Sequence, residues 1–257
     1  MKVALGIEYD GSNFCGWQNQ TKGQSVQSHV ERALSFVADS NVAVVCAGRT
    51  DAGVHARCQV VHFVSATVRT PWAWLMGGNT KLPASIAVRW VQPVAEDFHA
   101  RFSARARRYR YSLINRRSRP ALEKRFCAWE CMPLDVAAMQ AASRCLLGQH
   151  DFTSFRTLAC QAPSPVRTIL ALDFTQRGER IDLNIEANAF LHHMVRNIAG
   201  SLLAVGRGEH PPEWIAEVLA ARSRKLAGIT ASASGLCFLG PRYSPAFGLP
   251  DEVCLDA

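Results

Sequence analysis

The chain contains no CxxC pair, no G-x-S-x-G turn and no low-complexity or repeated segment. Without CxxC, a cysteine zinc site has no ligand frame. Without G-x-S-x-G there is no nucleophile elbow, although a Ser-His-Asp triad is not excluded by spacing. No apolar stretch reaches the roughly 18 residues that a membrane helix needs. The opening "MKVALGIEYDG" is apolar for only five residues before Glu8, so it reads as a first strand, not a signal peptide. Lysine is scarce, at five of the 29 cationic side chains. The nine cysteines are an odd number, scattered and partly inside apolar runs such as "VVC" and "RCLL". That usage predicts reduced thiols in a cytoplasmic protein, not a disulfide framework.

What is present is an ordinary globular composition, 48% hydrophobic and 19% charged over 257 residues. Such a chain can bury one large core or two small ones. The net charge is +8, and 24 of the 29 cations are arginine. Arginine offers a planar fork for phosphate oxygens and a face for stacking on bases, so nucleic acid is the first partner to consider. Residues 101–125, "RFSARARRYRYSLINRRSRPALEKR", hold nine Arg and one Lys against one Glu. Their net +9 exceeds that of the whole chain, and the self-repulsion is costly unless an anion meets it. A solvated basic face is the plain alternative. Tyr109 and Tyr111 alternate with Arg108 and Arg110, which places the rings on one strand face and the cations on the other. A groove for an RNA backbone with an aromatic stacking platform accounts for both residue types.

Along the chain, "KVALGIEYD", "NVAVVC", "RCQVVHFV" and "ASIAVRWVQPV" read as strands. Val26, Val30, Leu34 and Val37 recur at helical spacing after Ser25, and Thr70-Pro71 is a cap followed by a first-turn proline. The later stretch repeats the alternation. "RRYRYSLIN" and "RFCAWEC" read as strands, and "LDVAAMQAASRCLLG" as a helix stopped by Gly148. "TILALDFTQRGERIDLNIEAN" reads as a hairpin, "AFLHHMVRNIAGSLLAVG" as a long helix and "PPEWIAEVLAARS" as a shorter one. The simplest architecture is α+β with two halves, 1–100 and 101–257, and a cleft between them for a site.

The most informative stretch is "AGRTDAGVHA", 47–56, where Arg49 and Asp51 stand among small residues after an apolar run. Gly48 and Gly53 would permit a sharp path on either side of the acid. A turn-capping Asp is the plain reading, and a chemical carboxylate is the other. In "LHHMVRN", two adjacent histidines on a helix would diverge by roughly 100° and make a poor metal pair. Arg196, one turn on from His192, reads as a fixed guanidinium looking into a cleft, or else as a surface ion pair. "YDGSNFCGWQ" is rich in glycine and aromatics but lacks the spacing of a phosphate-cradling loop.

"GRTDAGVHA" resembles the catalytic signature of the TruA-type tRNA pseudouridine synthases. "IEYDGSNFCGWQNQ", "FHARFSARARRYRY", "LLGQHDFTSF" and "NAFLHHMVRNIAGSLLAVG" resemble the same family, in the family's order and over nearly the whole chain. The resemblance implies two similar ferredoxin-like α+β halves meeting at a basic active-site cleft, with antiparallel or mixed sheets. It implies conversion of uridine to pseudouridine in the tRNA anticodon stem–loop by a homodimer, with no cofactor and no metal. It further implies Asp51 as the catalytic acid, Tyr109 as the base-stacking ring and Arg196 as the partner of Asp51. Arg49 would take part in flipping the target base, and Arg69, Arg101 and Arg117 would contact tRNA. The chain departs from the family pattern at "SGLCFLGPRY", where Gly240-Pro241 puts the last strand in doubt. Two rival readings are a non-catalytic RNA-binding protein, which leaves an isolated Asp unexplained, and a uridine N-glycosidase, which needs a second acid near Asp51. Release of free uracil would separate the latter from an isomerase.

Overall fold

The computed structural model describes residues 1–21 and 23–255. They contain ten strands and five α-helices, an α+β chain that separates into two compact units. The first comprises Met1–Arg107 together with the chain from Phe238 onward, and the second comprises Arg108–Cys237.

In the first unit the order is β1 (Lys2–Tyr9), α1 (Val26–Ala38), β2 (Val45–Cys46), β3 (His55–Val64), α2 (Pro71–Lys81) and β4 (Ile86–Pro93). β1 pairs antiparallel with both β3 and β4, and β2 pairs antiparallel with β3. The resulting order, β4-β1-β3-β2, with a helix after β1 and another after β3, is the ferredoxin-like split βαβ arrangement. Beside β3 also lies β10 (Leu236–Arg242), which continues through Gly240-Pro241. Gly240 sits at φ +135, and a Cβ there would meet the Cys58 carbonyl at 3.0 Å, so the close approach selects glycine.

Both helix starts follow from their sequences. Ser25 Oγ accepts from the Ser28 N–H at 3.1 Å, and Thr70 Oγ1 accepts from the Ala73 N–H at 3.2 Å ahead of Pro71. β1 is buried on both faces, which explains its unbroken apolar run. One side of this core holds Val30, Leu34 and Trp74 of the helices. Another cluster joins Ala4, Val60 and Cys58 to Phe98, Tyr243 and Val253. Only the last two residues of "NVAVVC" form a strand. The N–H groups of Val42 and Val44 are instead taken by Ser35 Oγ and Glu31 Oε1 of α1, at 2.9 and 3.1 Å.

The second unit contains β5 (Ala106–Asn115, whose first two residues belong to the first unit), β6 (Ala128–Glu130), α3 (Val136–Ser143) and β7 (Gly148–Asp151). β8 (Val166–Arg177), β9 (Arg180–Ala187), α4 (Met194–Gly206) and α5 (Trp214–Ala221) follow. Its strands run β5-β9-β8-β7, and β6 lies parallel to β5. The expected hairpin is present, closed by Gly178 at φ +59. Three helices are shorter than the sequence predicts, and α5 is one of them, running from Trp214 to Ala221 without the two prolines. α3 ends at Ser143 in a 3-10 turn, and Gly148, at φ +90, opens a strand instead of stopping a helix. α4 begins at Met194 because His193 adopts the left-handed conformation, φ +62. His192 and His193 therefore precede the helix, with ring centroids 4.3 Å apart, and the helical spacing argument does not apply to them.

Candidate active site

Asp51 lies in the β2–β3 connection, residues 47–54, and its backbone is held from several directions. Gln59 of β3 is fully buried and clasps the Gly48 peptide: Nε2 donates to the carbonyl at 2.5 Å, and Oε1 accepts from the N–H at 3.4 Å. The Thr50 hydroxyl is 2.7 Å from the Tyr9 hydroxyl, and both side chains are buried. The Thr50 carbonyl accepts from the Trp17 N–H at 3.0 Å, and that of Asp51 from the Val54 N–H at 3.1 Å.

The glycine-rich loop 10–17 supplies the remaining wall. Gly16 has φ +100, and a Cβ there would come within 2.7 Å of the Thr50 carbonyl and 3.1 Å of the Asp51 carbonyl carbon. A Cβ on Gly11 would meet the Val54 carbonyl at 2.0 Å. His55, buried, accepts from the Gly11 N–H at Nδ1, at 3.1 Å, beside the Asp10 carboxylate at 3.3 Å. The motif's two glycines divide their roles. Gly53 has φ +77, whereas Gly48 is not in the left-handed region and a Cβ on it would meet nothing closer than Phe238 at 3.9 Å. Within this frame Asp51 is half-buried and Arg49 exposed.

The other sequence-predicted residues fall in two groups. In the first unit, Arg69 and Arg101 are exposed; Arg69 Nε donates to the Val37 carbonyl at 3.3 Å, and Arg101 lies 5.5 Å from the Phe102 ring centre. In the second, Tyr109 is 8% exposed and meets the Phe190 ring edge-on, centroids 5.1 Å apart. Arg117 is exposed. Arg196, in the first turn of α4, donates from Nε to the Ala231 carbonyl at 2.8 Å, and its own carbonyl accepts from the Ala231 N–H at 3.1 Å.

The Arg-rich stretch is not one uniform cationic face. Arg107 donates to the carbonyls of Ala104, Ala47 and Arg101, Arg110 to Asn184, and Arg116 to Glu179. Arg101, Arg105, Arg117, Arg119, Lys124 and Arg125 are the exposed cations. Tyr111, 1% exposed, is core and not part of a stacking platform. Burial pushes its phenol above the usual range against the pull of Arg196, and a Cβ on Gly235 would lie 2.9 Å from its ring. Sequence reasoning missed Tyr9, Gln59 and His55 as supports of the Asp51 turn. A lone amide inside the buried run "CQVVHF" was the available signal for Gln59.

A family profile described as tRNA pseudouridine synthase matches residues 6–103 and 142–244. The chain belongs to the tRNA pseudouridine synthase family. The first matched block carries Arg49, Asp51, Arg69 and Arg101, and the second carries Arg196; Tyr109 and Arg117 fall between them. The chain is similar to a tRNA pseudouridine synthase A of Xylella fastidiosa strain M23, 59% identical over 98% of this chain and 99% of that one. It is 58% identical to a tRNA pseudouridine synthase A of Stenotrophomonas maltophilia strain R551-3, covering 99% and 100%. It is 56% identical to one of Xanthomonas euvesicatoria, covering 98% and 99%. Among the described residues, no helix is long and apolar enough to cross a membrane.

Proposed function

We propose that this chain is a tRNA-modifying isomerase that converts uridine to pseudouridine in the anticodon stem–loop, working as a homodimer in the cytoplasm and without a cofactor. The reaction breaks the N1–C1′ bond, turns the uracil and joins C1′ to C5. C5 loses its hydrogen and N1 gains one, so atoms balance without an added reagent. The observation that carries the reading is the Asp51 turn: a family member holds one acid on a backbone locked by Gln59, Trp17 and Gly16.

The target base must leave the stack, which costs a few kcal/mol. Arg49, exposed beside the acid, fills the vacated space, and Tyr109 supplies a stacking face worth roughly 1–3 kcal/mol. Asp51 then acts by attacking C1′ or C6, or by removing a sugar proton toward a glycal. A hydrolytic glycosidase uses a second carboxylate to activate water; one acid suits an isomerase. Arg196 supplies the guanidinium that pairs with the acid. Arg69, Arg101 and Arg117 take phosphates, so affinity falls with added salt.

Asp51→Asn tests the reading, because it preserves size and turn-forming tendency but removes the charge and the nucleophile. Tritium release from tRNA labelled at uridine C5 should fall by orders of magnitude, with filter-bound tRNA affinity changed by less than about tenfold, or about 1.4 kcal/mol. Substantial isomerisation by a homogeneous, folded Asp51→Asn protein would refute the assignment.

A further inference from the structure

Residues 223–231 form a strap across α4. Ser223 N–H donates to Ser154 Oγ at 2.8 Å, and Gly228 N–H donates to Ser201 Oγ at 2.9 Å. The seat is close. A Cβ on Gly200 would lie 1.8 Å from the Ile229 carbonyl, and one on Gly228 would lie 2.8 Å from Ser201 Cα. Beneath the strap, Asn197 is completely buried. Its Oδ1 accepts from Thr230 Oγ1 at 2.7 Å and from Arg224 Nη2 at 3.1 Å, while its Nδ2 donates to the Phe155 carbonyl at 2.8 Å.

Arg224 also donates to Thr230 Oγ1 and to the Ala227 carbonyl, so its guanidinium is spent on neutral acceptors that bend the strap back on itself. Burial holds it below its ordinary value. A half-buried cation with no acidic partner among the described residues is an expensive way to shape a loop unless the shape matters. The strap ends, one residue after Thr230, at Ala231, whose carbonyl holds Arg196 Nε at 2.8 Å and whose N–H returns to the Arg196 carbonyl at 3.1 Å.

We propose that Thr230 is a positioning residue for the isomerisation: anchored on Asn197 and Arg224, it fixes the Ala231 carbonyl that aims the Arg196 guanidinium. This rests on the role given above to Arg196. A register set one residue away by a buried knot leaves the Nε–carbonyl bond little freedom. Misplacement of a reacting or charge-stabilising group by about 1 Å can cost roughly a hundredfold in rate.

Thr230→Val keeps the side-chain shape and deletes the hydroxyl. It should lower kcat for C5 tritium release by about ten- to a hundredfold, leave the KM for tRNA within about twofold, and be rescued by Thr230→Ser. Gly228→Ala, whose φ is not in the left-handed region, lifts the strap from Ser201 by contact alone and should show the same kcat loss. In an Arg196→Ala background neither change should lower the residual turnover further, because their effect passes through Arg196. Normal turnover in folded Thr230→Val and Gly228→Ala, beside a crippled Arg196→Ala, overturns the proposal alone. Full additivity with Arg196→Ala overturns it as well. Normal turnover in Arg196→Ala overturns the role of Arg196 and the proposal together.

Discussion

Gly16→Ala should slow the reaction out of proportion to its effect on folding, and a second glycine provides the control. At Gly16, φ is +100, and a Cβ would stand 2.7 Å from the Thr50 carbonyl oxygen and 3.1 Å from the Asp51 carbonyl carbon. Non-bonded heavy atoms settle at about 3.5–4.0 Å, so the Thr50–Asp51 peptide must retreat by roughly 0.5–1 Å. The positive φ alone costs an L-residue about 1–3 kcal/mol. Gly178 carries the same kind of penalty, φ +59, but nothing lies within 4 Å of its would-be Cβ. Gly178→Ala should therefore lose about 1–2 kcal/mol in urea unfolding and keep its kcat. Gly16→Ala should lose about 1–3 kcal/mol and a further factor of about ten to a hundred in single-turnover tritium release. Gly16→Ala at wild-type turnover would refute the argument that loop 10–17 sets the position of Asp51. Equal kcat losses in the two variants would show that rate merely follows stability.

Two further outcomes concern the first unit's stability. His62, buried with its Nδ1 accepting from the Ala100 N–H at 3.1 Å, is held down from 6.5 to about 4 by burial, then by the charges of His99 and Lys2. The fold resists a proton that the unfolded chain accepts, so this contribution is complete above about pH 6.5 and falls by up to about 3 kcal/mol toward pH 4; a His62→Gln protein with the same slope of melting temperature against pH would refute it. Glu252 accepts from Trp90 Nε1 at 2.8 Å and Arg89 Nη1 at 2.7 Å, tying the C-terminal segment to β4. Glu252→Gln should cost about 1 kcal/mol in urea unfolding with kcat unchanged, and undiminished stability would show that this tie holds nothing.

The local signals that proved legible are those whose physics is itself local. Ser25 and Thr70-Pro71 mark helix starts because a cap satisfies N–H groups two or three residues away, and both caps are made. Val42 and Val44 failed as strand residues because their N–H partners, Ser35 and Glu31, lie several residues back on a helix. The start of α4 is not legible in the sequence because the apolar period continues through Leu191 while His193 leaves helical space. The same division holds at the site. Arg49 and Asp51 stand out because a charged pair among small residues is anomalous in sequence. Tyr9 and Gln59 do not, because their importance lies in what they meet, the Thr50 hydroxyl 41 residues away and the Gly48 peptide 11 residues away.

The two units carry the comparison further. Each runs strand, helix, hairpin strands, helix, and in each the hairpin connection occupies the same topological place. In the second unit it is a two-residue turn, Gly178-Glu179, between Arg177 and Arg180, held from outside the hairpin at Glu179, whose carbonyl accepts from the Asn115 N–H at 2.7 Å and whose carboxylate meets Arg116. In the first it is lengthened to residues 47–54 and carries Arg49 and Asp51. A longer connection frees backbone polar groups from the ladder, and each must find a partner elsewhere. Gln59, Trp17 and Phe14 supply those partners, taking the Gly48 peptide, the Thr50 carbonyl and the Gly53 N–H. Fixing a loop this way costs conformational entropy that a tight turn never incurs. The same fold thus spends more polar contacts on the backbone of the turn that bears Asp51, at three of its residues, than on the two-residue turn, where one carbonyl is taken from outside the hairpin. That asymmetry is the physical reason to read Asp51 as chemistry and not as a cap.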